Sequence, residues 1–141
     1  MAKYKVAGNS EFKCDNILGT LINLSAYIDT ISAVGREFGA LDVTAFVDTA
    51  ERVIAGIQSS QEFTISGHFD DTATTGPDAV LAPLTGTLGT WEWYPIGTTS
   101  GRRKFSGEAL CTKYTVGAEV KGRVQFEASF KQDGAVTVGT A

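Results

Sequence analysis

The chain is poor in the residues that carry most site chemistry. Its 141 residues include one histidine, two cysteines, three prolines and one methionine. A single histidine, His68, excludes a two-histidine metal centre and leaves one side chain of that type to act as base for a serine or cysteine nucleophile. No nucleophile and orienting carboxylate stand in a recognisable order around it. Neither an enzyme nor a cofactor is expected. Cys14 and Cys111 could close one disulfide. At this length a β domain buries roughly two-thirds of its unfolded surface without a covalent brace. Free thiols are therefore expected, with Cys111 as a small core residue in a strand and a Cys14–Cys111 bridge as the alternative. No apolar run approaches the roughly eighteen residues that span a bilayer, and Met1–Lys13 carries no hydrophobic core of the signal-peptide kind. Cytoplasmic synthesis without membrane insertion follows as an expectation, and the Asn23-Leu24-Ser25 sequon carries no weight. An excess of positive charge is also missing. Twelve basic residues face sixteen acidic ones, for a net charge of −4. Residues 1–70 hold nine acids and five bases; residues 71–141 hold seven of each. That distribution argues against a duplex-DNA binder with a basic footprint. The acids are dispersed, and Asp70-Asp71 is the only adjacent pair, too little for a calcium loop or a glycosidase dyad.

Sixteen glycines against three prolines, with 43% apolar and 20% charged residues, favour β structure rich in turns. Residues 1–15 read as an arm or a short strand. Thr20–Ile31 reads as a strand with a bulge or bend near Ser25, and Arg36–Phe46 as a second. Glu62–Asp70 alternates strictly. Phe63, Ile65, Gly67 and Phe69 face one way; Glu62, Thr64, Ser66, His68 and Asp70 face the other, so one face is buried and one is wet. Residues 77–86 open like a helix with Pro77 in the first turn, and Pro83 predicts that it is short or kinked. Thr87–Tyr94 places Trp91 and Trp93 on one face. Arg103–Val116 is a long strand and Lys121–Lys131 the most regular one. In the latter, Val124, Phe126, Ala128 and Phe130 point inward, and Arg123, Gln125, Glu127, Ser129 and Lys131 outward. Asp133-Gly134 reads as a turn before a short final strand, Ala135–Val138. The sum is a mainly β chain of 141 residues: an antiparallel sandwich or partly open barrel of six to seven strands with one short flanking helix. Its expected core includes Phe63, Ile65, Phe69, Val124, Phe126 and Phe130.

Between the second and third strands stands Val47–Gln61, a long connection with at most a helical turn at Thr49–Ile54. Loops of this length in compact domains are usually functional, and this one points to a contact between subunits. Gly97-Thr98-Thr99-Ser100-Gly101-Arg102-Arg103-Lys104 lacks the spacing and the Gly-Lys-Ser/Thr of a phosphate loop and reads as a hairpin turn. Arg102-Arg103-Lys104 could meet nucleic acid or an acidic neighbour. Gly89-Thr90-Trp91 resembles the Gly-x-Trp of ligand-carrying barrels but lies mid-chain. A small-molecule barrel is therefore a secondary reading.

Four segments together carry a family resemblance: Tyr27–Asp29 within NLSAYIDTIS; Leu41–Phe46 followed by the long connection; Phe63–Asp70; and Phe105-Ser106-Gly107-Glu108-Ala109-Leu110. In order and spacing they resemble the major tail tube proteins of long-tailed, non-contractile bacteriophages, over about Asn16 to Ala135. Pro83 departs from that family's flank helix. The resemblance implies a structural virion protein, made in a host bacterial cytoplasm, that self-assembles into stacked hexameric rings conducting DNA. Its implied partners are further copies of itself and other tail proteins (tape measure, terminator, baseplate or tip). Double-stranded DNA would pass transiently without specific binding. A tube protein of a related injection or secretion machine is the alternative. Carried onto this chain, the resemblance makes Val47–Gln61 an inter-ring contact, with Asp48, Glu51, Arg52, Val53, Ile54 and Gln58 as its candidate residues. Glu62, Thr64, Ser66, His68, Asp70, Arg123, Gln125, Glu127 and Ser129 become candidate lumen residues on an acidic-to-neutral wall.

Overall fold

A computed structural model describes residues 9–141. The part of the expected arm at residues 1–8 lies outside the described residues. Nine strands and one helix follow in the order β1 (Glu11–Asp15), β2 (Leu21–Asn23), β3 (Ile28–Ile31), β4 (Glu37–Asp42), β5 (Val53–Ser59), β6 (Glu62–His68), α1 (Pro77–Leu84), β7 (Leu88–Tyr94), β8 (Arg103–Ala118) and β9 (Val124–Thr140). Seven strands form one antiparallel sheet in the order β2-β1-β7-β8-β9-β6-β3, and β4 and β5 form a separate two-stranded ribbon. The fold is mainly β, a curled half-barrel with one short helix, as the alternation of the sequence indicates.

The curl has a covalent cause. β2 and β3 are opposite edges of the sheet, yet only Leu24–Tyr27 separates them. The five steps from Asn23 to Ile28 span about 18 Å at most, so the two edges must approach each other. The linking strap is fixed at both ends. The Leu24 N–H donates to the Phe12 carbonyl at 3.0 Å, and the His68 N–H donates to the Tyr27 carbonyl at 2.7 Å. The expected single strand Thr20–Ile31 is therefore two strands on two edges, with the expected bend at Ser25 becoming the crossing. The strap passes so close to β6 that a Cβ on Gly67 would sit 1.9 Å from the Tyr27 carbonyl oxygen. This explains why the apolar face of β6 reads Phe-x-Ile-x-Gly.

The half-barrel closes on Phe12, Cys14, Phe63, Trp91, Phe126 and Phe130, with Val80, Leu81 and Leu84 of α1 as a plug. The Phe63 ring stacks on Phe130 at 5.2 Å and lies 5.0 Å from Trp91. Each such ring contributes on the order of 2–3 kcal/mol when fully buried. α1 ends at Leu84, one residue after Pro83, and Thr85 closes its last turn through an N–H to the Leu81 carbonyl. Pro83 thus loses one hydrogen bond in a turn that was about to end. Cys14 and Cys111 are buried free thiols, and burial pushes both above the ordinary thiol value, Cys14 far above it.

Several expectations need correction. Val47–Gln61 is not a loop throughout, because Val53–Ser59 forms β5 against β4 and no helix forms at Thr49–Ile54. β4 ends at Asp42 instead of Phe46. Asp133-Gly134 does not break the chain. Gly134, with φ 74°, sits in an irregularity of β9, which runs on to Thr140. Val124 is not core: it lies at the far end of the β8–β9 hairpin and is 46% exposed. Phe69 is half-buried past the end of β6. Phe63, Ile65, Phe126 and Phe130 are fully buried.

Candidate assembly surfaces

The β4–β5 ribbon carries a concentration of exposed apolar side chains. Phe38, Leu41, Val43, Phe46, Val47, Val53, Ile54 and Ile57 are all exposed, with Ile57 at 92%. An isolated two-stranded ribbon is marginal in water, and a contiguous apolar surface on a soluble protein marks an interaction site. The ribbon is nonetheless held in shape. At its tip the Asp48 carboxylate accepts from the Ala45 N–H at 2.7 Å, the Asp42 carboxylate accepts from the Thr44 N–H at 2.8 Å, and the Arg52 N–H donates to the Thr44 hydroxyl at 2.9 Å. Those contacts with Thr44 hold the Asp42 carboxyl below its ordinary value. Arg52 also reaches Asp48 at 3.9 Å. Asp48 and Arg52 therefore build the turn that presents Phe46 and Val47, and Glu51 is exposed beside them. Val53, Ile54 and Gln58 belong to β5, opposite Asp42, Leu41 and Phe38.

At the root of the ribbon, one buried residue holds both legs. The Gln132 side-chain amide donates to the Gly35 carbonyl at 3.1 Å, its N–H donates to the Gln61 carbonyl at 2.9 Å, and its carbonyl accepts from the Ser60 hydroxyl. Gln132 is 3% exposed. The sequence offered no mark for it, since it falls where β9 looked finished. Phe38, Leu41 and Phe46 were also unassigned, and Val47 and Ile57 were covered only as part of the long connection Val47–Gln61. The β-branched residues Val53, Ile54 and Ile57 were the signal available for a strand there.

Most candidate wall residues share one face of the sheet. In register, Glu62 lies opposite Lys131, Thr64 opposite Ser129, Ser66 opposite Glu127, and His68 opposite Gln125. The face continues onto β8, where Lys113 lies opposite Ser129 and Thr115 opposite Glu127. Ser129 is buried between strands, within 3.3 Å of the Thr64 hydroxyl. Charge on this face is balanced locally. Lys113 pairs with Glu127 at 3.6 Å, and Arg123 bridges Asp29 while approaching the His68 ring at 2.9 Å. Arg123 holds the Asp29 carboxyl below its ordinary value. Asp70 does not join this face: it lies beyond β6 and accepts from Thr72 in the turn toward α1.

The basic run Arg102-Arg103-Lys104 is divided by its surroundings. Lys104 is committed to Glu92 at 3.1 Å, and Glu92 also accepts from the Tyr94 hydroxyl at 2.6 Å. The Arg102 backbone closes the end of the sheet, its carbonyl accepting from Ala141 at 2.7 Å. Arg103 is exposed. Among the described residues, no three His, Cys, Asp or Glu side chains are grouped to hold a metal ion, and no helix is long and apolar enough to cross a membrane.

No protein-family model matches the sequence, and no curated protein matches it. Solved structures do. A chain from the tail of the empty gene transfer agent (GTA) particle, obtained by helical refinement with C6 symmetry, aligns with a TM-score of 0.70 at 15% identity over 97% of this chain and 100% of its own. A chain from the virion of the native GTA particle gives 0.69 at 15% identity, with the same coverage. A chain from the six-fold symmetrised baseplate of the anti-feeding prophage (AFP) gives 0.64 at 10% identity, over 99% and 98%. At such identities the likeness is one of fold, and that fold is one found in phage-like tail particles.

Proposed function

We propose that this chain is a structural, non-enzymatic tail tube subunit that assembles into stacked six-membered rings forming a conduit for DNA. The observation that carries the reading is the β4–β5 ribbon, apolar over both strands and pinned at its root, on a fold shared with chains of six-fold tail particles. A head-to-tail contact that closes makes a ring, and a second contact along the axis makes a filament. The ribbon supplies the axial contact. The sheet face of Glu62, Thr64, Ser66, His68, Gln125, Glu127 and Ser129 supplies the inner wall, with Arg123 at its rim. Local charge pairing on that wall suits passage of DNA, because each unpaired cation would add a phosphate contact and retard the polymer. Tape-measure, terminator and baseplate or tip proteins would meet the two ends of the tube.

A second reading is favoured by the AFP neighbour, which belongs to a baseplate: a subunit of the assembly at the end of a tube. Such a protein would form single rings that do not elongate alone. The test is sedimentation of concentrated purified protein alongside Val53→Asp and Ile54→Asp. The tube reading expects fast-sedimenting polymer from the parent chain and ring-sized or smaller species from both variants, at unchanged melting temperature. Equal polymer growth by the variants would remove the ribbon from the axial contact.

A further inference from the structure

One charged cluster ties the sheet together at the His68 end of the wall face. β3 carries a bulge there. Ile28 lies opposite Gly67 and Thr30 opposite Ser66, which leaves Asp29 as the extra residue. Bulges re-aim side chains, and this one sends the Asp29 carboxylate to the guanidinium of Arg123, in the turn between β8 and β9. The strand β6 lies between β3 and β9, and its last residue, His68, stands between the two partners. Arg123 Nη1 lies 3.1 Å from His68 Nδ1 and 2.9 Å from Nε2. The cluster thus clamps the turn to the edge strand across the end of β6. Two backbone bonds join the same elements. The His68 N–H donates to the Tyr27 carbonyl of the strap at 2.7 Å, and the Phe69 N–H donates to the Val124 carbonyl at 3.1 Å.

We propose that this cluster is a pH-sensitive clasp, closed while His68 is neutral and opened when His68 takes up a proton. A neutral imidazole keeps one bare nitrogen that can accept from Arg123; an imidazolium has none and carries the same charge as the guanidinium. Histidine is the side chain that changes charge between about pH 5 and 8, and His68 is the only one in the chain. The surroundings do not offset the added charge. From β3 comes Asp29, whose carboxyl Arg123 holds below its ordinary value, so it stays ionised throughout that range. The closed clasp therefore holds one cation and one anion, and the protonated one holds two cations on a single anion. From β9, the uncharged Gln125 lies opposite His68, and Glu127 is already paired with Lys113 of β8. Gly117 of β8 continues the row. The turn adds Glu119 and Lys121, of opposite sign. The strap meets His68 through the Tyr27 backbone, and Asp70, beyond β6, is engaged by Thr72. Opening the clasp frees Arg123 at the rim of the wall. On the tube reading, on which this consequence alone rests, acid turns a charge-balanced rim into one that holds DNA phosphates.

The test is amide hydrogen exchange of the unassembled protein at about pH 7.5 and about pH 5.5, either side of a histidine titration, expressed as protection relative to the unstructured chain at each pH. Protection of the residue 68 and Phe69 amides should fall by about two- to fivefold on acidification, the range an exposed ion pair is worth, while the β7 amides hold. His68→Gln can still accept from Arg123 but takes up no proton, and should show no such fall. His68→Lys, charged at both values, should show the low protection at both. A parent whose two amides keep their protection, or a His68→Gln that loses it as the parent does, overturns the clasp. Co-sedimentation of assembled protein with double-stranded DNA reads the consequence. The parent should retain DNA only at the lower pH, and His68→Gln at neither. Retention that ignores pH, with the change in protection intact, overturns the role at the channel rim and leaves the clasp standing.

Discussion

Replacing Gly67 by alanine tests whether the strap between the two sheet edges governs the fold. The added Cβ would lie 1.9 Å from the Tyr27 carbonyl oxygen and 2.8 Å from the Ile28 Cα. An ordinary contact begins near 3.4 Å, so the strap would have to retreat by about 1.5 Å. That retreat breaks the 2.7 Å bond from the His68 N–H to Tyr27, worth about 1 kcal/mol. It also disturbs the packing of Leu24 and Ile28 against the core, at about 1–3 kcal/mol for a forced shift in a packed interior. The sum is about 2–4 kcal/mol, or a fall in melting temperature of roughly 5–15 °C for a domain of this size. The control is Gly139→Ala, also within a strand, where nothing lies within 4 Å of the new methyl; its effect should stay within about 0.5 kcal/mol. Thermal unfolding followed by circular dichroism, on unassembled protein at fixed concentration, reads both. If the two variants melt together, the close crossing of strap and β6 is not where the curl is held.

Three further outcomes are expected. Gln132→Ala removes the side-chain anchor of the ribbon root, costs about 1–2 kcal/mol, and should speed hydrogen exchange in β4 and β5 more than in β7; uniform exchange would deny Gln132 that role. Burial raises the Glu92 carboxyl, but the Tyr94 hydroxyl and the Lys104 ammonium outweigh it and leave the group below its ordinary value. Its contribution to stability is therefore complete above the unfolded value near 4.5 and is lost as pH falls through the lower folded value. Glu92→Gln should accordingly show a shallower acid loss of the urea midpoint than the parent, and identical pH profiles would contradict this. Glu127→Lys, which also strips Lys113 of its partner, should give assembled protein a salt-sensitive affinity for double-stranded DNA that the parent lacks; unchanged binding would argue that this face does not line the channel.

The strands that alternate were legible as strands, because a period of two with one wet face leaves no other reading of Glu62–His68 or of the first half of β9. Their shared face was legible for the same reason. The strand β5 was hidden because both its faces are exposed in the isolated subunit, so Val53–Ser59 shows no alternation between apolar and polar positions. A two-stranded ribbon that packs on no other layer of its own subunit does not carry the pattern of a monomer core. β1 was half-seen, since five residues are too short for periodicity to speak. The split of Thr20–Ile31 was written in sequence only as a broken alternation near Ser25, and nothing local says that its halves belong to opposite edges. Gln132 and Gly67 act through contacts with segments far along the chain, so their roles emerge only once those segments are placed. Asp70 was drawn into the wall by extending the alternation two residues past the true end of β6 at His68.

The central claim is that this chain closes into rings that stack. Electron microscopy of the purified protein at high concentration measures it most directly. End-on class averages with six-fold symmetry around an open channel, together with side views of regularly stacked rings, are the expected result. A population of single subunits, or closed assemblies of another symmetry without a channel, would contradict the account.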